Sequence, residues 1–424
     1  MKQCLCVLIA ATFAGSSFVL FEIGGISFYL FRILFLIFTA AHLFFYTRQN
    51  DMQKKVSRIY TGLLTVLCFY LPITLILTPS YSAWINGAIV IAINVLLIYY
   101  VVYYTETEQD LSRYIKVFVF GLLINLLIAV YEYQTGNHVV SSNYLSPYAE
   151  GTWEYETLSA APTAFLFNPN NLGVAAVLGI PFAKAAFGEG RTLFSKGACV
   201  LLRLLYMVLC LYIAFATGSR GAILLSVGCF FVTIFAQQKT FIRRFFSILG
   251  VLLFVVILYN GFSDFILKQL NYAHLGEGQS IISTADSGRF EIYQRGWQLA
   301  KDSWFLGTGP LTAEAALLQR FGSSRFIHLF WLETLITLGA VGLVCVVIFY
   351  ARCLFVSFAA RNTCRALSGA VTVALLFFSI ACIIPPTIFT QHFIWLLFGF
   401  AVALEKLGQK GENGIECHAF NQQL

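Results

Sequence analysis

The stretch that decides the fold is 83–104, AWINGAIVIAINVLLIYYVVYY, in which no side chain carries a charge. At a rise of about 1.5 Å per residue, a helix of this length crosses the roughly 30 Å hydrocarbon core of a bilayer. Strands of a membrane barrel alternate between polar and apolar residues over short segments, and this stretch does not alternate. It therefore predicts a transmembrane helix.

The composition extends this prediction to the whole chain. Of 424 residues, 59% are hydrophobic and 11% are charged, whereas a typical soluble domain is about 45–50% apolar and about 25% charged. The chain is predicted to be an all-α polytopic membrane protein with about twelve transmembrane helices. The apolar windows are 4–21, 26–46, 59–78, 83–104, 114–133, 165–187, 199–217, 220–236, 245–263, 327–350, 366–384 and 387–404.

Basic residues concentrate in alternate loops. If the N-terminus is cytoplasmic, most of the 27 Lys and Arg residues fall in cytoplasmic segments, and the short outer connections 79–82 and 385–386 contain none. Cytoplasmic loops of membrane proteins are enriched in Lys and Arg, so this bias predicts that both termini are cytoplasmic. An odd number of helices would destroy the pattern. The net charge of +7 is therefore attributed to topology and not to nucleic-acid binding.

This orientation gives the predicted domain organisation. Helices one to nine lie in 1–263 with an outer loop at 134–164, a large extracytoplasmic loop covers 264–326, helices ten to twelve lie in 327–404, and 405–424 is a cytoplasmic tail. The eleven cysteines form no Cys-x-x-Cys pair, which argues against a zinc site or a disulfide framework. No phosphate-binding loop, dinucleotide turn or nucleophile elbow occurs, so neither a metal nor another cofactor is expected.

The large loop contains its own helical pattern. The sequence DSGRFEIYQRGWQLAKDSWF at 286–305 predicts an amphipathic helix with one aromatic stripe and charged residues opposite. The stripe consists of Phe290, Tyr293, Trp297, Ala300 and Trp304. Such a helix is compatible with lying along the membrane surface or with docking onto the transmembrane bundle.

Three residues are the first candidates for chemistry. Arg220 lies in TGSRGA at 217–222, at the joint between two predicted helices, where an arginine at a helix N-terminus can bind an anion or can simply extend to the membrane interface. Arg289 lies in the first turn of the amphipathic helix, although its position alone favours an ordinary solvated arginine. His328 is predicted to open span ten at the outer interface, where a neutral imidazole can act as a general base.

Several further residues are candidates for substrate binding. Glu333 is a carboxylate inside span ten, which is costly in a membrane and suggests function, and Arg325 lies just before this span. FNPNNLG at 167–173 places Asn168, Asn170 and Asn171 at the entry to span six, either in a sugar-binding vestibule or as a capped helix start. Arg32 is expected to pair with Glu22 across the outer hairpin rather than to touch a ligand. Glu132 is compatible with either role.

Taken together, these motifs resemble the O-antigen ligase and O-antigen or capsular polysaccharide polymerase superfamily. The resemblance rests on TGSRGA at 217–222, SGRFEIYQRGWQLAKDSWFLGTGP at 287–310, His328 with LETLITLGAVGL after it, and FNPNNLG at 167–173. It covers mainly the second half of the chain. In the family an asparagine often follows the histidine, whereas Leu329 follows it here.

The resemblance implies a metal-independent glycosyltransferase of the bacterial plasma membrane with its active site on the extracytoplasmic face. Its donor and acceptor would be undecaprenyl-diphosphate-linked glycans, with a chain-length regulator and a flippase as further partners and no role for nucleic acid. Arg220 and Arg289 would bind the diphosphate, and His328 would act as the general base or position the acceptor hydroxyl.

Three functions compete at this point. A polymerase would join lipid-linked repeat units into O-antigen, capsule or exopolysaccharide, and the asparagine-rich segment and the modest size favour it. An O-antigen ligase would transfer finished glycan to lipid A core. A flippase of lipid-linked sugar also suits twelve helices, although transporters concentrate their polar residues near the bilayer midplane and here the motifs collect at one face.

Overall fold

The computed structural model describes residues 1–15, 18–23, 26–46, 58–140, 160–188, 195–237, 281–322, 326–362 and 364–412. Within these ranges the chain is mostly helical. The helices are α1 (Lys2–Ala11), α2 (Leu30–Tyr46), α3 (Arg58–Tyr70), α4 (Tyr81–Tyr104), α5 (Glu108–Thr135), α6 (Pro169–Gly179), α7 (Ala183–Ala186), α8 (Lys196–Ala216), α9 (Arg220–Gln237), α10 (Ile281–Asp302), α11 (Ala313–Phe321), α12 (Phe330–Ala359), α13 (Arg365–Ala381) and α14 (His392–Glu412), and the strands are β1 (Val19–Ile23) and β2 (Ile26–Tyr29).

A multi-pass helical membrane protein is confirmed. Among the described residues, five segments are long and apolar enough to cross a membrane: Ile59–Leu77, Tyr81–Tyr104, Glu108–Thr135, Lys196–Ala216 and Phe330–Ala359. Lys2–Ala14, Leu30–Phe45, Arg220–Ile234 and Arg365–Ala381 are apolar but shorter. The count of twelve and the orientation remain predictions, and predicted span nine, 245–263, lies outside the described residues.

The first predicted span is wrong as a continuous helix over 4–21. α1 ends at Ala11, and a 3-10 turn follows at Thr12–Ala14. β1 then pairs antiparallel with β2, so the apolar residues after Gly15 form a hairpin. Gly15 has a φ of 55° and packs against the backbone of Phe165, a conformation that a side chain would strain. Hydrophobicity alone does not separate such a hairpin from a helix.

Capping and charge pairing extend two helices beyond their predicted ends. α5 begins at Glu108 rather than 114, because Thr107 and Asp110 form a capping box. α14 continues into the predicted tail as far as Glu412, and Lys406 Nζ donates to Val102 O at 2.6 Å, while Glu405 pairs with Arg352. These partners allow charged residues to be buried at this end of the bundle.

α12 is a broken helix, and the chain segment after α10 packs into the break. Gly339 has a φ of 67° inside α12. Beside it, Thr308 N donates to Ile336 O at 2.8 Å and Ala340 N donates to Phe305 O at 2.8 Å. A Cβ on Gly339 would lie 2.6 Å from Phe305 O. Only glycine therefore allows the two backbones to approach this closely.

The amphipathic helix α10 docks onto the bundle. A Cβ on Gly296 would lie 3.0 Å from the side chain of Ile336 and 3.2 Å from those of Ile327 and Leu332, so α10 packs closely against the start of α12 and the segment just before it. Docking of α10 separates the residues of the predicted aromatic stripe into two groups. Tyr293 and Ala300 face the bundle, whereas Phe290, Trp297 and Trp304 are exposed. Of the two interpretations left open by the sequence, docking is the one that the structure shows.

Candidate functional site

Arg220 begins α9 directly after a tight turn. α8 ends at Ala216, and Thr217 Oγ1 donates to Ala214 O at 2.8 Å. Gly218 has a φ of 66°, which lets the chain reverse and enter α9 at Arg220. The Arg220 side chain is exposed. A cation thus stands at a helix N-terminus, where the helix dipole also favours an anion.

His328 precedes α12 rather than opening it. The helix begins at Phe330, with Leu329 as its extended N-cap, and His328 has a φ of 52°. This position corrects the prediction that His328 is the first residue of span ten. A non-glycine residue in the left-handed region is held there by its surroundings. His328 Nδ1 lies 3.1 Å from Ile384 O, and the Tyr293 hydroxyl of α10 is 3.5 Å from His328 O.

The contact with Ile384 assigns the tautomer of His328. A backbone carbonyl oxygen only accepts hydrogen bonds, so His328 Nδ1 carries the proton and donates it. In a neutral imidazole the other ring nitrogen, Nε2, is then the basic one. A histidine oriented in this way can accept a proton at Nε2 while Ile384 O stabilises the resulting positive charge.

Ile384 also connects His328 to the Arg220 turn. A Cβ on Gly221 would lie 3.0 Å from the Ile384 side chain, so the residue after Arg220 packs directly on Ile384. The same residue binds His328 through its carbonyl. Ile384 therefore contacts both His328 and the neighbour of Arg220, two candidate residues that are 108 positions apart in sequence.

Glu333 touches the same connecting loop, 384–391. The Thr387 hydroxyl donates to Glu333 Oε1 at 2.6 Å. Glu333 is 5% exposed, and its Oε2 has no hydrogen-bond partner among the described residues. His328 and Glu333 do not share a helix face, as their spacing predicted, but one loop contacts both. Pro385 and Pro386 restrict the backbone between these contacts.

The asparagine-rich segment forms a capped helix start that packs on the Arg220 turn. Asn168 is the N-cap of α6, and its Oδ1 accepts from Asn170 N at 2.8 Å. Asn171 Nδ2 donates to Leu166 O, while its buried Oδ1 has no partner among the residues described. A Cβ on Gly173 would lie 3.1 Å from Thr217 Oγ1. Two motifs of the resemblance therefore lie side by side.

Glu132 has a structural role. Its carboxylate accepts hydrogen bonds from Val139 N at 3.0 Å and from Thr163 N and Ala164 N at 2.8 Å each. His138 Nδ1 lies 3.4 Å from the same carboxylate. Glu132 thus joins the end of α5 to the segment before α6, and this answers the question that its sequence position left open.

The predicted pairing of Arg32 with Glu22 is wrong. Arg32 Nη1 donates to Ser27 O at 2.9 Å and Nη2 donates to Asn86 Oδ1 at 2.8 Å. Glu22 instead accepts a hydrogen bond from Ser27 Oγ at 2.7 Å. The reason is the hairpin: Glu22 and Ser27 are cross-strand partners, and this register favours the local bond.

A polar network beside Arg32 was not identified from the sequence. His392 Nδ1 lies 2.7 Å from Asn94 Oδ1, and His392 Nε2 lies 3.0 Å from the Tyr29 hydroxyl. Asn94 Nδ2 donates to Phe389 O at 2.8 Å. The available signal was a pair of polar residues, Asn94 and His392, inside apolar windows.

One further candidate is placed only in part, and another lies outside the described residues. Arg289 lies in α10 four residues before Tyr293, one turn away along the helix, but its side chain falls outside the described residues. Arg325 lies in 323–325, also outside them. Among the described residues, no three His, Cys, Asp or Glu side chains come together to form a metal site.

Comparison with known proteins gives two findings. Residues 205–347 match a protein-family model described as O-Antigen ligase. This region contains Arg220, Arg289, His328 and Glu333. Over 419 residues the chain is 22% identical to "Teichuronic acid biosynthesis protein TuaE" of Bacillus subtilis (strain 168), and the match covers 94% of this chain and 82% of that protein.

Proposed function

We propose that the chain is a polymerase of the O-antigen ligase and polysaccharide polymerase superfamily, which joins undecaprenyl-diphosphate-linked repeat units into a surface polysaccharide. The match to the O-Antigen ligase family model and the similarity to a teichuronic acid biosynthesis protein support a membrane enzyme of polysaccharide biosynthesis. The observation that carries the proposed sugar transfer is the hydrogen bond from His328 Nδ1 to Ile384 O, because it makes Nε2 the basic nitrogen. The preference for a polymerase over a ligase rests on the asparagine-rich segment FNPNNLG and the modest size of the chain.

In the proposed reaction, a hydroxyl oxygen of the acceptor sugar attacks the anomeric carbon of the donor sugar. The new glycosidic bond forms as the bond from that carbon to the diphosphate oxygen breaks, and the bonding pair leaves with the diphosphate. His328 Nε2 accepts the proton of the attacking hydroxyl. General base catalysis of this kind contributes about 10²–10⁴-fold to a rate.

Arg220 is proposed to neutralise the departing diphosphate. Its exposed side chain and the first N–H groups of α9 present positive charge in one place. Negative charge grows on the leaving diphosphate in the transition state, so donors that are already in position there lower the barrier. Arg289 is proposed as the second diphosphate ligand. With two arginines as counter-charges, the proposed reaction needs no metal.

Glu333, Arg325 and the asparagines of FNPNNLG are proposed to contact the sugars. Glu333 Oε2 and Asn171 Oδ1 have no hydrogen-bond partner within the described part of the chain, and as acceptors they are suited to bind sugar hydroxyls. The predicted orientation would place these groups on the outer face of the plasma membrane, where no nucleotide sugar is required.

A ligase is the second candidate, because the matching family model is described as O-Antigen ligase. Deleting the gene distinguishes the two activities. A polymerase mutant should lose long glycan chains and keep single repeats. Long chains that persist on the carrier lipid would contradict the polymerase proposal and support a ligase.

Reconstitution in liposomes tests the alternative that the protein is a flippase. Purified protein in liposomes should convert lipid-linked repeat units into longer chains without any partner protein. If the liposomes contain no polymer and the lipid-linked sugar has crossed the bilayer, the transferase proposal fails.

A further inference from the structure

Arg32 is a buried cation whose hydrogen-bond acceptors are neutral. The side chain is 6% exposed, and its two bonds go to Ser27 O and Asn86 Oδ1. The buried Nε has no hydrogen-bond partner among the described residues. Neither acceptor offsets the positive charge of the guanidinium.

The groups next to Arg32 are neutral as well. Asn94 donates through Nδ2 to Phe389 O, so Asn94 Oδ1 must accept from His392 Nδ1–H. His392 Nε2 therefore carries no proton and accepts from the Tyr29 hydroxyl. The Tyr29 ring lies 4.7 Å from Arg32 Cζ, a favourable contact that leaves the net charge unchanged.

The acidic residue expected to pair with Arg32 has another partner. Glu22 accepts from Ser27 Oγ, and no ion pair with Arg32 occurs among the described residues. An uncompensated charge inside a membrane bundle is costly and is usually functional. A bound anion would remove this cost.

We propose that Arg32 binds an oxyanion of the substrate, either a phosphate or a sugar carboxylate, in a subsite additional to that of Arg220. The Nε edge of a guanidinium suits such groups, because two parallel N–H donors match two oxygens. The inference rests on the proposed function for the source of the anion, a lipid-linked glycan.

The position of Arg32 agrees with this assignment. Asn86, its partner on α4, precedes Gly87, which packs against Pro310 of the segment that follows α10. On the other side, His392 follows the loop 384–391, whose Ile384 carbonyl binds His328. Arg32 is thus linked through Asn86 to the segment that follows α10, and through Tyr29 and His392 to the end of the loop that binds His328.

Anion binding to the purified full-length protein tests the proposal. The thermal unfolding midpoint in detergent is measured against increasing inorganic pyrophosphate, glucuronate or neutral glucose, since a ligand of the folded state raises this midpoint. We expect one of the two anions to stabilise the wild type and its dissociation constant to rise about tenfold in Arg32→Gln. Arg320→Gln, which removes an exposed ion pair with Asp302, is the matched control and should bind like the wild type.

The arms of the experiment identify the source of the anion. Loss of the pyrophosphate effect in Arg32→Gln indicates a phosphate, and loss of the glucuronate effect indicates a sugar carboxylate. If neither anion stabilises the wild type, or if Arg32→Gln binds both as the wild type does, the proposal is overturned.

Two further variants keep the test decisive. Arg32→Lys serves as the test if Arg32→Gln does not fold. It retains the charge without the two parallel donors, so it should bind the anion about threefold more weakly than the wild type. Unchanged anion binding would overturn the proposal.

Replacing Glu150, Glu154 and Glu156 with glutamine tests whether a carboxylate of the predicted outer loop is the counter-ion of Arg32. The proposal also fails if this triple variant lowers the thermal unfolding midpoint as much as Arg32→Gln does and anion binding is the same with and without Arg32.

The binding assay and the polymerisation assay fail separately. If the wild-type protein forms polymer but its anion binding does not depend on Arg32, the proposed function stands and the proposed subsite is wrong. If anion binding depends on Arg32 but no polymer forms, the proposed subsite stands and the polymerase proposal is contradicted.

Discussion

At the residue scale, the candidate site depends on the hydrogen bonds that orient each side chain. His328 is informative because a backbone carbonyl fixes which nitrogen is basic. Arg220 is informative because it stands exposed at the start of a helix. The sequence indicated both residue types, but the tautomer of His328 depends on Ile384, which is 56 residues away.

Removing the Arg220 guanidinium should lower polymer formation by about 10²-fold, the usual effect of removing one donor to a developing negative charge. The readout is the initial rate in liposomes containing equal amounts of each protein. Arg320→Ala, in the predicted large outer loop, serves as the control. An Arg220→Ala rate equal to that of the control would rule out a role in neutralising the diphosphate.

Glu132→Gln should destabilise the fold. The amide oxygen can replace only one of the two carboxylate oxygens that accept from Val139 N, Thr163 N and Ala164 N, and a buried N–H without an acceptor costs about 1–3 kcal/mol. The thermal unfolding midpoint in detergent measures this change. Glu291→Gln, at an exposed position, should leave the midpoint unchanged; equal midpoints for the two variants would contradict the structural role.

At the element scale, close backbone approaches determine how the segment after α10 meets α12. The sequence predicted the amphipathic helix and the span, yet the break at Gly339 was not predicted, because LGAVG reads as part of an apolar window. Likewise, hydrophobicity did not distinguish the hairpin after Gly15 from a helix. Both features depend on contacts with distant segments, which local periodicity does not contain.

Gly339→Ala should destabilise the protein by at least about 1–3 kcal/mol, because a non-glycine residue at this backbone angle is strained and the new Cβ would overlap Phe305 O. Gly369→Ala in α13 is the matched control, since a Cβ there meets no atom within 4 Å. Thermal unfolding of both variants is compared. Equal stability would show that the segment after α10 does not pack against α12 in this way.

At the scale of the whole molecule, the loop 384–391 contacts His328, Glu333 and the turn that carries Arg220. The hydropathy pattern predicts that the motifs lie at one membrane face, because alternate loops differ in basic residues and the motifs fall on one side, and this placement stays a prediction. It did not predict that Ile384 and Thr387 would join His328, Arg220 and Glu333 through one short loop. That loop carries no motif of its own, so its role follows only from the fold.

Cysteine labelling in intact cells tests the predicted orientation. Asn137 and Gln409 are exposed residues at opposite predicted faces, so Asn137→Cys should react with a membrane-impermeant maleimide and Gln409→Cys should react only after lysis. A background variant without the native cysteines is the control. The reverse labelling would place the site on the cytoplasmic side and contradict the proposed use of lipid-linked donors.

The central claim is that His328 accepts the proton during sugar transfer at this site. The most direct measurement is the rate of chain growth from lipid-linked repeat units by purified protein in liposomes, comparing the wild type, His328→Ala and the tail variant His418→Ala. The wild type and His418→Ala should form long chains at equal rates, and His328→Ala should be slower by about 10²-fold or more. Chain growth by His328→Ala at the wild-type rate would contradict the claim.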